Sequence, residues 1–112
     1  MASEFIEFFG DTPQFRIMNF LFEHRLQDFT KTEIAKGAKI SWASLFNYWD
    51  ELEKNGMVKI TRVVGRAKLY QLDESSPLVK QFKKIEMTLI RNAAEAEEEK
   101  ISVRAKRKSK VA

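Results

Sequence analysis

Apolar residues recur along the chain with changing periods, and each change marks a boundary between predicted elements. After Pro13, the residues Phe15, Met18, Leu21 and Phe22 return every three or four positions, with Ile17 and Phe20 widening the stripe. This predicts a mostly buried helix to about Arg25, with His24 near its C-terminus, where a cation is favourable. Gly10-Asp11-Thr12-Pro13 supplies the start: Thr12 or Asp11 caps, and Pro13 takes the first helical position, where its missing N–H costs nothing. Thr30-Lys31-Thr32-Glu33 fits a reciprocal capping box, so a second, short helix begins near Lys31 and turns Ile34, Ala35 and Ala38 inward. Gly37-Ala38-Lys39-Ile40 makes the turn into a third helix, which is capped by Ser41, runs to Asn55 and is closed by Gly56 in a left-handed conformation. Along that helix Leu45, Trp49 and Leu52 point one way and form the core face, with Tyr48 beside them and Ile40 supporting the entry turn.

From Met57 the period drops to two. Val58 and Ile60 alternate with Lys59 and Thr61, and Tyr70 and Leu72 with Gln71, around a Val64-Gly65 turn. This predicts a hairpin with one core face and one wet face. Two short helices joined by a tight turn and followed at once by a hairpin make a winged helix-turn-helix. The expected class is mainly α with a small β-hairpin (α+β).

After the loop Asp73-Glu74-Ser75-Ser76, Pro77 opens a last helix with no breaker to about Lys100. Leu78, Phe82, Ile85, Leu89, Asn92 and Ala96 are spaced alternately by four and three, an a/d seam in which Asn92 can fix the register of two copies. Such a helix is about 35 Å long, more than this domain needs to cover its core. Two readings are open: a dimerisation helix, or a helix that folds back on its own domain. The first ten residues carry Phe5, Ile6, Phe8 and Phe9, too apolar for a free tail, and this arm either covers its own domain or reaches a second subunit. The expected organisation is an apolar arm (1–10), the winged helix-turn-helix (11–75), a coiled-coil-like helix (76–101) and a basic disordered tail (102–112) that either adds phosphate affinity or serves as a solubilising end.

Composition narrows the function. The 112 residues are enough for one domain with one core, and 20 basic against 16 acidic side chains are compatible with an anionic partner. Cysteine is absent and histidine occurs once, which argues against a disulfide framework or a zinc cluster. No apolar run approaches the length of a membrane span, and the acidic, phenylalanine-rich start lacks the basic region of a signal peptide, so a cytoplasmic, nucleoid-associated protein is expected. There is no nucleophile-with-base pattern, glycine-rich phosphate loop or metal-ligand set, so neither an enzyme nor a cofactor is expected.

The outer face of the third helix, residues 41–55, offers candidate chemistry: Asn47 suits adenine N6 and N7, Ser41 and Ser44 a base edge or phosphate, and Ala43 a thymine methyl. Trp42 and Phe46 lie one turn apart on this face, placed either to press on methyls and sugars or to dock on another protein. No arginine or lysine lies between Trp42 and Glu53, so the common arginine–guanine contact is missing from this helix. The acidic Asp50, Glu51 and Glu53 should face away from phosphates. Positive charge is on the flanks: Lys31, Lys36 and Lys39, beside Thr30 and Thr32, and Arg62, Arg66 and Lys68 in the wing, residues 62–68. Arg66 at the tip is the candidate for a minor groove.

The run from Lys31 to Lys80, with its GRAKLYQL second wing strand and following Ser-Pro helix start, resembles the winged-helix DNA-binding proteins common in archaea and their plasmids. The resemblance implies duplex DNA binding as a homodimer, usually in transcription regulation. Relatives of that kind often carry basic residues at the positions of Trp42, Ala43 and Asn47. The chain also lacks the ligand-sensing domain of sugar-responsive regulators and the ligands of metal-sensing ones, so an effector would act at the dimer interface. The leading expectation is a sequence-specific regulator on double-stranded DNA. Two alternatives stand beside it: a partition or architectural protein that spreads along DNA, and a winged helix that binds a protein partner through Trp42 and Phe46.

Overall fold

The computed structural model describes residues 4–111, with side chains described through Val103. The elements run α1 (Glu4–Phe9), α2 (Pro13–Glu23), α3 (Lys31–Ala38), α4 (Trp42–Lys54), β1 (Val58–Val64), β2 (Ala67–Leu72) and α5 (Pro77–Val111). Residues 1–3 and 112, and the charged side chains of the basic tail beyond Val103, lie outside the described residues. The backbone from 102 to 111 is a helical continuation of α5, where composition predicts disorder. No glycine or proline interrupts that stretch.

The caps form as the sequence predicts. Thr12 accepts from the N–H of Phe15, and Ser41 from that of Ser44 at 3.1 Å. Thr30 and Glu33 close the capping box from both sides, at 3.2 and 2.9 Å. One core unites Ile17, Met18, Leu21 and Phe22 of α2, Ile34, Ala35 and Ala38 of α3, and Leu45, Trp49 and Leu52 of α4 with Met57, Val58, Tyr70 and Leu72.

The arm is a helix that closes this core. Phe5 is 1% exposed and meets the rings of Phe15, Phe22 and Phe82 at 5.9, 5.8 and 6.3 Å, while Phe9 stacks on Phe15 at 4.8 Å. Phe5 is thus used within its own chain; Phe8 is exposed. On α5 the fully buried anchor is Val79, which the a/d seam passes over. Phe82 and Leu89 are half-buried at the border of that seam, and Leu78, Ile85, Asn92 and Ala96 are exposed. The first turns of the last helix cover the core of its own domain, and the rest extends from it, giving a molecule 69 × 28 × 21 Å.

Three details correct the sequence reading. Gly37 is not a turn residue but lies inside α3, where a Cβ would overlap the ring of Phe20; the left-handed residue is Lys39, at φ 58°. The absent side chain of Gly37 lets α2 and α3 approach closely. The hairpin turn is Gly65-Arg66, between the paired Val64 and Ala67, with Gly65 at φ 61°. Finally, Ile60 is not a core residue but 51% exposed. A bulge between Ile60 and Arg62 interrupts the alternation, and beyond Val58 the strand projects clear of the core. β2 is instead the inner strand, because Tyr70 also exchanges both backbone bonds with Phe29, at 2.7 and 2.8 Å, a pairing that no periodicity announces.

Candidate nucleic-acid interface

The outer face of α4 is set by its inner one. With Leu45, Trp49 and Leu52 buried, the helix period leaves Trp42, Ala43, Phe46, Asn47 and Asp50 exposed and Ser44 half-buried. Trp42 is 48% and Phe46 59% exposed, with ring centroids 6.0 Å apart. Ser41 is committed to its cap, and its hydroxyl also donates to Ser44 Oγ at 3.0 Å. Of the polar groups expected to read bases, the exposed Asn47 is therefore the better placed, and the two serines are tied to each other.

The start of α3, the start of α4 and the wing turn converge. A cleft of about 260 Å³ is lined by Thr30, Lys31, Thr32, Trp42, Arg66, Lys68 and Tyr70, so six of the predicted contact residues meet in one place. Thr30 is engaged in its capping box, while Thr32, Arg66 and Lys68 are exposed. Lys39 is exposed at the turn between α3 and α4, and its carbonyl accepts from Arg16 Nη1 at 3.0 Å. Arg16 is in turn paired with Asp11, which raises the guanidinium's pKa and lowers that of the carboxyl. Behind this turn lies a second pocket, of about 370 Å³, bordered by Asp11, Arg16, Phe20 and Lys39.

Two predicted cations sit differently from a free phosphate ligand. Lys31 Nζ lies 5.9, 5.5 and 5.6 Å from the ring centroids of Phe46, Trp49 and Tyr70, so its charge is shared with an aromatic box. Arg62 is bound to Asp28, with Nε–Oδ2 at 2.9 Å and Nη2–Oδ1 at 3.3 Å, and the bulged Thr61 hydroxyl donates to the same carboxylate at 2.6 Å. These two donors, Thr61 first, hold the Asp28 carboxyl below its ordinary range. Arg62 thus fastens the wing to the segment before α3 and leaves its tip to Arg66 and Lys68. A bridge across 34 residues has no local sequence signal.

The acidic end of α4 is handled locally. Glu53 accepts from the Trp49 indole N–H, and burial first, with the Glu53 charge second, pushes the Tyr70 phenol up. The exposed Ile60, Val63 and Val64 make the wing partly apolar; the alternation placed Ile60 on the core face and assigned no role to Val63. Among the described residues no helix is long and apolar enough to cross a membrane, and no group of three or more His, Cys, Asp or Glu side chains is placed to hold a metal ion.

No known family profile matches the chain, and no curated protein matches it. Solved structures do. A variant of ZitR from Lactococcus lactis superposes with a TM-score of 0.57 at 23% identity, over 72% of this chain and 57% of that one. The chain thus spans little more than half of ZitR. MepR, a transcription regulator of the Staphylococcus aureus multidrug efflux pump MepA, superposes with a TM-score of 0.60 at 22% identity, covering 89% of this chain and 76% of its own. Sso10a-2, a DNA-binding protein from Sulfolobus solfataricus, gives 0.51 at 23% identity, with 75% and 87% covered. With its capped helix pair, its hairpin and these neighbours, the chain has a winged helix-turn-helix fold.

Proposed function

We propose that the protein is a sequence-specific double-stranded DNA-binding regulator of transcription that acts as a homodimer. The observation that carries this is the convergence of the start of α3, the start of α4 and the wing turn on one cleft with Lys31, Arg66 and Lys68 around it. In this reading α4 enters the major groove, whose width admits a helix, and the wing lies on the adjacent minor groove or backbone. Lys39, Thr32 and Lys68 meet phosphates, and Asn47 reads a base edge. The exposed stripe of Leu78, Ile85, Asn92 and Ala96, with Phe82 and Leu89 at its border, joins two copies along α5; the exposed Phe8 and half-buried Phe9 flank it. A variant of ZitR has been solved in complex with DNA, which supports the use of this fold on DNA.

The test is selection from a random duplex pool, with binding of the enriched sequences repeated over a salt series. An inverted repeat with half-sites about 34 Å apart is expected. Retention without an enriched motif, at a steep salt slope, would instead favour an architectural or partition protein. The arginine-free α4 and the basic composition of the last ten residues support that second reading.

A further inference from the structure

Resting on the duplex-binding reading, we infer that Trp42 and Phe46 determine specificity by covering the 5-methyl groups of thymines. Three observations lead there. The outer face of α4 from Trp42 to Asn47 carries no charged side chain, so it cannot make the paired hydrogen bonds to guanine that an arginine makes, nor accept from cytosine with a carboxylate. What it offers is ring surface, about half exposed at both residues. In the major groove the thymine methyl is the apolar group that such surface can bury. The two centroids, 6.0 Å apart, span nearly two base steps of about 3.4 Å.

Charge settles the occupant. Lys31, Arg66 and Lys68 line a cleft with Trp42 at the edge of this uncharged patch, which matches a groove floor beside a phosphate ridge. The Lys31 ammonium, 5.9 Å from the Phe46 centroid, restrains the ring at the helix surface, so less rotamer freedom is lost on contact. Asn47, on the same face, supplies the amide for an adenine, so the recognised step is A·T-rich by two independent contacts. Asp50, one turn beyond Phe46, ends the patch.

The experiment exchanges thymidine for deoxyuridine. This removes the methyl and leaves pairing, charge and hydrogen-bonding edges unchanged. The duplex enriched by selection is prepared in both forms, and affinity is measured by fluorescence anisotropy for the full chain and for the Trp42→Ala, Phe46→Ala double variant. Burial of one methyl-sized group is worth about 0.8 kcal/mol, so the wild-type chain should bind the uracil duplex about fourfold more weakly for each methyl covered. The double variant should bind the two duplexes equally. Its rings are half exposed, and an unchanged melting temperature checks that it folds. Equal wild-type affinity for both duplexes overturns the inference while leaving duplex binding standing. Full retention of DNA affinity by the double variant also overturns it. If no duplex is retained at all, the DNA-binding reading falls with it.

Discussion

Replacing Phe5 by Ala tests whether the six-residue α1 is a structural part of the domain. The ring is 1% exposed and meets three rings outside its own helix, those of Phe15, Phe22 and Phe82. Full burial of a phenylalanine contributes about 1.5–3 kcal/mol, and each aromatic pair adds about 0.5–1.5 kcal/mol. Core Phe→Ala changes accordingly cost about 3–5 kcal/mol. Here a ceiling applies, because so short a helix can detach: the loss cannot exceed the whole docking free energy of α1. We therefore expect about 3 kcal/mol, and a comparable loss on deleting residues 1–10. Urea unfolding followed by tryptophan fluorescence reads this well, since both tryptophans lie on α4. An unchanged slope on urea would indicate a cavity under a docked helix, and a shallower one a detached helix. A loss under about 1 kcal/mol would refute the reasoning and show that α1 does not hold the core closed in solution.

Arg66→Ala should weaken binding to all duplexes and reduce the salt slope by about one, whereas Arg62→Ala, whose guanidinium is held by Asp28, should leave the slope nearly unchanged; binding titrations over a salt series separate them. Asn47→Ala should relax preference at one base position at a cost of about 1–3 kcal/mol on the best site, read by repeating the selection, and an equal loss on every sequence would remove its reading role. Burial first, and the nearby Glu23 carboxylate second, raise the Glu86 carboxyl above its ordinary value, with Arg25 and Lys83 opposing. The folded state then holds this proton to higher pH than the unfolded chain does, so its ionisation costs stability as pH rises through that window. Glu86→Gln should accordingly stabilise the protein at neutral pH, and the gain should vanish below the ordinary glutamate range in thermal melts taken across pH.

The helix-turn-helix was legible because its signals are local. Caps at Thr12, Thr30 and Ser41, the stop at Gly56 and the stripe of Leu45, Trp49 and Leu52 each involve residues within a few positions of one another. Periodicity is weaker where an element has two duties. On α5 the seam of Leu78, Ile85 and Asn92 was readable, but the residue that anchors the helix is Val79, one position off it. The wing shows the same limit: Ile60 alternates with Val58 but lies beyond the edge of the core, and the bulge at Thr61 breaks the alternation after it. The site divides likewise. Which residues surround α4 followed from the helix period, but the partners of Lys31 and Arg62 are distant in sequence, and those partners decide which cations are free.

The depth at which α5 is held has a mechanical consequence. Its deep contact is Val79, in the first turn, and every residue from Arg91 to Val103 is exposed. A rod of 35 residues is about 50 Å long, so a tilt of about 5° at its base carries the far end about 4 Å. In the proposed dimer, joined along such rods, the same small tilt alters the separation and twist of the two winged-helix heads. The fulcrum is the packing of Phe82 against Phe5 and Phe9. A perturbation of those few rings, none of them on α4, would therefore act in the proposed complex as a gear on half-site spacing without changing a single base contact.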